Sequence, residues 1–279
     1  HLLGGQPNTS VANTYGYGNL PEYGVPNIMT ADGPAGLRIT PQCEVCTTAW
    51  PFATLLASTW NPALVERVGT AGAEEVKENN IAVWLTPAVN IHRNPLCGRN
   101  FEYYSEDPFL SGKMAAAVVR GVQEEGTCGA VIKHFACNNQ EDNRMGSNSV
   151  VSERALREVY LKGFEIAIRQ AQPMSIMTSY NLINGVHAAN NYDLCTESAR
   201  NEWGFKGAIM TDWTTTEQGD NCTASGCMRA GNDLVMPGCF GEHDNMHKEL
   251  AEGTLKIEDL KACIARLVSV IWKSNQYLQ

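Results

Sequence analysis

The side chains best equipped for chemistry follow short apolar runs. Asp32 comes soon after residues 25–29, and Asn90, His92 and Arg93 after residues 81–86. Lys133 closes the run 130–133 and His134 follows it. Tyr180 and Asn181 follow 175–177, and Asp212 and Trp213 follow 208–210. Runs of this length read as buried strands, so these residues would gather at one set of strand ends. Carboxylates and cations there would hydrogen-bond hydroxyl groups, and an indole face would pack on a C–H surface. The set suits a neutral, polyhydroxylated ligand. A phosphate site would want glycine-rich loops leading to helix N-termini, and neither GxGxxG nor GxxxxGK[ST] occurs. Metal-assisted hydrolysis would want a His/Asp cluster. Only His92 and His134 are placed for it, without an HxH spacing, so neither metal nor cofactor is expected. Taken alone, an Asp after a strand is commonly a helix N-cap, a strand-end Arg or Lys a solvated charge, and a lone His structural.

Two further runs, 52–56 and 234–236, bring the predicted strands to seven. Amphipathic stretches lie between them. Asn61-Pro62 is an N-cap followed by proline at the first helical position. It opens a predicted helix to residue 78, with Leu64, Val65, Val68, Ala71 and Val76 near one face. Asp107-Pro108 opens another that ends before Gly126. Ser152 begins a capping-box-like pattern and a helix through residue 168, ahead of Pro173. Residues 196–202, 223–230, 243–252 and 258–272 complete the helices. This alternation predicts a parallel sheet, and 279 residues suit a TIM-type (β/α)8 barrel, incomplete or irregular in one strand. No Gly/Ser or Pro run divides the chain, so residues 1–279 read as one domain.

Hydrophobic residues are 43% of the chain, enough for a sizeable core. The net charge is −9, from 21 basic and 30 acidic residues, with no basic cluster. Nucleic acid and anionic membranes are therefore poor partners. The longest apolar run, residues 114–119, is far short of a membrane span. The N-terminus has no start Met, basic region or apolar region, so no signal peptide is visible, and it reads as a cut end. The ten cysteines are irregularly spaced and read as reduced thiols of a cytosolic protein, with secretion left open. Cys43 and Cys46 form one CxxC, and a structural metal there, with Cys97, also stays open. Oligomeric state is not legible.

Several motifs in order resemble glycoside hydrolase family 3. They are Ala31-Asp32-Gly33-Pro34-Ala35-Gly36-Leu37-Arg38, Gly98-Arg99-Asn100-Phe101-Glu102 with Ser105-Glu106-Asp107-Pro108, and Lys133-His134-Phe135. Met210-Thr211-Asp212-Trp213 and Gly231-Asn232-Asp233-Leu234-Val235-Met236-Pro237-Gly238 follow. The resemblance implies the barrel domain of a retaining β-glucosidase-like enzyme. Such chemistry needs two carboxyl groups about 5–5.5 Å apart, a nucleophile and an acid/base. It implies Asp212 as nucleophile, and Asp32, Arg38, Arg99, Lys133, His134, Arg144, Tyr180 and Trp213 around the sugar. A regular strand would send Lys133 and His134 to opposite faces, and the resemblance implies a cis peptide between them. Glu102, Glu106 and Asp107 read as structural: a rim hydrogen bond and a helix start.

The branch of the family that cleaves N-acetylglucosaminides carries a Gly-His pair soon after Lys-His-Phe, which Phe135-Ala136-Cys137-Asn138-Asn139-Gln140-Glu141 lacks. Asp32 looks like the glucosidase form, with room for a 6-hydroxymethyl group. Exo-hydrolysis of terminal β-D-glucosides is therefore expected. The alternatives are a β-xylosidase and a carbohydrate-binding subunit that does not turn over. The resemblance also implies an acid/base Glu on a second, α/β-sandwich domain, which no motif here supplies. Glu217, five residues after Asp212, is a poor substitute.

Overall fold

The computed structural model describes residues 2–4, 16–39, 44–124, 126 and 128–275. The chain opens with β1 (Gly16–Leu20), which runs antiparallel to β2 (Val25–Ala31). Two helices follow, α1 (Ala53–Ala57) and α2 (Pro62–Glu78), and then the short β3 (Val83–Trp84). After α3 (Pro108–Gln123) comes β4 (Gly129–Phe135), in which every residue is buried. A strand of two residues, β5 (Asn148–Ser149), leads to α4 (Glu153–Ala155), a π-helical stretch Leu156–Tyr160 and α5 (Lys162–Ala171). Next are β6 (Ser175–Thr178), the hairpin β7 (Leu182–Ile183) and β8 (Val186–His187), a π-helical stretch Asp193–Glu202 and β9 (Ala208–Met210). Helices α6 (Thr215–Gln218), α7 (Ala224–Ala230), α8 (Phe240–Glu252) and α9 (Ile257–Ile271) complete the chain.

The main sheet runs β1-β2-β3-β4-β6-β9, parallel from β2 onward. Single parallel bridges continue the curve from Met210 to Leu234 and from Val235 to Gly4. The result is a TIM-type (β/α)8 barrel, irregular where β1 runs antiparallel. Successive strand residues alternate between two cores. Trp84, Ala130, Ile132, Ile176 and Ile209 pack with the helices α2, α3 and α5. Val83, Val131, Met177, Ala208 and Met210 join Leu234, Val235 and Met236 in the other. Strands buried on both faces carry this consecutive apolar pattern.

Capping fixes the helix starts. Asn61 Oδ1 accepts from Leu64 N at 3.1 Å with Pro62 next in line, and Asp107 Oδ1 accepts from Phe109 N at 2.9 Å ahead of Pro108. Helices α2 and α3 then approach closely. A Cβ on Gly121 would lie 2.0 Å from the Glu66 carbonyl oxygen, and one on Gly69 2.7 Å from that of Val118.

Several expectations are corrected. Residues 52–56 are not a strand, because Ala53–Ala57 is helix α1. Phe52 and Leu55 face solvent there while Ala53, Leu56 and Ala57 are buried, a helical period that a short apolar run hides. Residues 234–236 form single bridges on either side rather than a regular strand. The helix expected over 152–168 is broken by a π stretch and extends to Ala171, and 196–202 lies inside the longer π stretch. Strand β1 and the small sheet β5-β7-β8 were not expected. Cys43 lies outside the described residues. Cys46 is exposed and Cys97 buried. Among the described residues no helix is long and apolar enough to cross a membrane.

Candidate active site

The strand ends converge on a cavity of about 470 Å³. Asp32, Arg38, Arg99, Lys133, His134, Arg144, Tyr180, Asp212 and Trp213 all line it, so the structure brings the whole predicted set together. Leu85, Phe101, Glu102 and Met177 line it as well. Leu85 follows β3 and Met177 lies in β6, so both carry a strand-end signal. Phe101 and Glu102 sit in the motif already noted around Arg99.

Asp32 leaves β2 into a tight turn. Gly36 N donates to Gly33 O at 3.1 Å and Arg38 N to Asp32 O at 2.9 Å. A Cβ on Gly33, whose φ is +120°, would lie 1.8 Å from Gly36 O, so the turn demands glycine. Trp84 Nε1 in β3 donates to Gly33 O at 3.1 Å and fastens the turn to the neighbouring strand. Lys133 Nζ, almost fully buried, donates to Asp32 Oδ1 at 2.5 Å, and Arg38 lies 3.4 Å from Oδ2. Burial alone would raise the Asp32 carboxyl. Lys133, the Gly33 amide and Arg38 outweigh it and hold the group down at about 2.

Lys133 and His134 lie at the end of β4, and the peptide between them is cis, as is that between Phe135 and Ala136. The Asn90 side chain grips the His134 backbone on both sides. Its Oδ1 accepts from His134 N at 2.8 Å and its Nδ2 donates to His134 O at 2.9 Å. The end of β6 is tied to the same region, because Ser179 Oγ and Asn181 Nδ2 donate to Ala136 O at 2.7 and 3.2 Å. His92 turns elsewhere, with Nε2 within 2.9 Å of the Asn100 and Tyr103 carbonyls.

Asp212 sits just beyond β9. Thr211 N donates to Leu234 O, Met236 N donates to Thr211 Oγ1, and Thr214 N donates to Met236 O, each at 2.9 Å. These bonds bracket the carboxylate from both sides. Its Oδ1 accepts from Trp213 N at 2.7 Å, whereas Oδ2 is buried and has no hydrogen-bond partner. His134 Nε2 lies 3.8 Å from Oδ2. Burial raises the Asp212 carboxyl above its ordinary value, against the pull of Arg99, the Trp213 amide, Lys133 and the Tyr180 hydroxyl. The Arg144 guanidinium stacks on the Tyr180 ring 4.4 Å from its centroid, and Arg99 Nε donates to the buried Glu102 at 2.5 Å.

The chain matches the glycosyl hydrolase family 3 N-terminal domain over residues 18–270. It belongs to that family. It is 54% identical to beta-glucosidase A of Butyrivibrio fibrisolvens over 260 residues, covering 93% of this chain and 30% of that protein. It is 41% identical to an exo-alpha-(1->6)-L-arabinopyranosidase of Bifidobacterium breve over 261 residues, 90% of this chain and 34% of that protein. The structure of beta-glucosidase 3B from Thermotoga neapolitana in complex with glucose superposes with a TM-score of 0.93 at 45% identity, over 99% of this chain and 41% of that one. The family 3 chain described here thus spans about a third of the length of the curated relatives it matches.

One group of potential metal ligands occurs among the described residues, Glu217, Cys239 and Glu242, outside the cavity lining. Glu242 is already engaged, accepting from the Thr216 hydroxyl and from Cys239 N at 2.6 Å.

Proposed function

We propose that this family 3 barrel performs the glycosylation half of a retaining, exo-acting hydrolysis of terminal β-D-glucosides. The observation that carries the reading is Asp212 Oδ2, buried without a hydrogen bond in the lining of a cavity of about 470 Å³ that it shares with Asp32, Lys133 and His134. The Asp212 carboxylate attacks the anomeric carbon as the bond to the aglycone oxygen breaks. The aglycone oxygen takes a proton from a general acid, and water later hydrolyses the glycosyl ester with retention. Asp32, Lys133, His134, Arg99 and Arg38 hold hydroxyls. Tyr180, braced by Arg144, and Trp213 wall the reacting face. The acid/base is a Glu from an α/β-sandwich domain or chain that completes the site. Besides Asp212, the carboxylates lining the cavity are Asp32, bound to Lys133, and Glu102, bound to Arg99, and neither is free for that role.

Similarity to an exo-alpha-(1->6)-L-arabinopyranosidase makes pentopyranosides, β-xylosides included, the second substrate class to assay. Stopped-flow release of dinitrophenolate from 2,4-dinitrophenyl β-D-glucoside tests the reading, because that leaving group needs no acid. A stoichiometric burst that vanishes in Asp212→Gly supports it. An absent burst would leave only a carbohydrate-binding subunit, and one unchanged by the substitution would place the nucleophile on another residue.

A further inference from the structure

His134 is buried beside Asp212, and its chemistry depends on which ring nitrogen carries the proton. Burial and the nearby cations Arg99, Lys133 and Arg144 keep the ring neutral, so one nitrogen donates and the other accepts. A chain of side chains settles which. Arg144 NH1 donates to Glu141 Oε2 at 2.8 Å, fixing that carboxylate. Glu141 Oε1 only accepts, so the Asn138 group facing it at 3.2 Å is the Nδ2 amide. The same Nδ2 donates to the Tyr103 hydroxyl oxygen at 2.8 Å. Tyr103 is fully buried, and among the described residues the other hydrogen-bond partner of its hydroxyl is His134 Nδ1 at 3.3 Å, the nearby Arg99 guanidinium being a donor only. Were Nδ1 protonated, the Tyr103 proton would be a buried donor with nothing to accept it, a loss of about 1–3 kcal/mol. Nδ1 is therefore the acceptor, and Nε2 carries the proton.

We propose that Tyr103, set by Asn138 and Glu141, is a positioning residue that locks His134 as the Nε2–H tautomer. Nε2 lies 3.8 Å from Asp212 Oδ2, too far for a hydrogen bond, and His134 lines the cavity. It stays available to donate to a substrate hydroxyl next to the anomeric carbon. The opposite tautomer would present a bare lone pair to the same hydroxyl and to the Asp212 carboxylate. The donor role rests on the function proposed above, whereas the tautomer lock stands on the protein alone.

Imidazole ¹⁵N NMR of the full chain separates the two. The His134 signal is identified by its loss in His134→Gln. The expected wild-type spectrum shows one neutral tautomer with Nε2 protonated. In Tyr103→Phe, whose fold is checked by its melting curve, the two ring shifts move toward each other as the tautomers mix, and affinity for D-glucose falls about five- to tenfold. A wild-type ring protonated on Nδ1 would overturn the lock whether or not the variant folds. So would an unchanged tautomer in a folded Tyr103→Phe. Added D-glucose should shift the Nε2 resonance. A locked ring indifferent to the sugar would instead overturn the donor role and count against the glycosidase reading.

Discussion

Asp32 and Asp212 are carboxylates in one cavity with opposite electrostatic fates. Lys133 lies 2.5 Å from Asp32, while Asp212 Oδ2 has no donor in hydrogen-bonding geometry and only the Tyr180 hydroxyl and more distant cations act on it. Asp32 therefore stays ionised, whereas burial makes the ionisation of Asp212 costly. The Asp32 carboxyl lies at about 2 in the fold against 3.8 unfolded, so it stabilises the protein above about pH 4. That contribution, on the order of 2 kcal/mol, is lost as pH falls through about 2. In Asp32→Asn, denaturant melts should show a smaller loss of stability over that interval than in wild type. In the proposed reaction Asp212 acts only when ionised, so its raised pKa should move the acid limb of the glycosylation rate above the ordinary carboxylate value of 3.8. A burst-rate profile still flat at that pH would be inconsistent with this. Each of these residues is legible from its place after an apolar run. Tyr103, Asn138 and Glu141 are not, because their link to His134 depends on how loops fold back over β4.

At the scale of elements, the site depends on anchors some distance away. Asp233 is fully buried, binds Arg200 at 2.6 Å and Arg266 at 2.7 Å, and accepts Ile209 N at 2.8 Å. It pins β9 just before Asp212. Asp233→Asn leaves two arginines without their anion and should cost about 3–5 kcal/mol in denaturant melts. Gly121→Ala forces α3 away from α2, where the added Cβ meets Glu66 O. Overpacking of this kind lowers Tm by about 2–6 °C in calorimetry, despite the better helix propensity of alanine. The same elements show what sequence resolves. Helix α2 is legible at both ends because Asn61-Pro62 caps it and its apolar face recurs with helical period. Residues 52–56 misread because a run that short carries no decisive period. Strand β1 escapes because Gly16, Gly18 and Asn19 break any apolar run, and its place is set by pairing with β2.

For the whole molecule, the proposed reaction draws its nucleophile and sugar cradle from the barrel and its acid from elsewhere. Without that acid, departure depends on the leaving group's own stability. The chain alone should cleave methyl β-D-glucoside at least about 10²–10⁴-fold more slowly than 2,4-dinitrophenyl β-D-glucoside, as steady-state rates would show. Comparable rates would place an acid within residues 1–279. The most direct measurement is mass spectrometry of the protein after incubation with 2,4-dinitrophenyl 2-deoxy-2-fluoro-β-D-glucoside, followed by peptide mapping. The expected result is one fluoroglucosyl group esterified to Asp212. An unmodified protein, or label on another residue, would contradict the assignment of Asp212 as nucleophile.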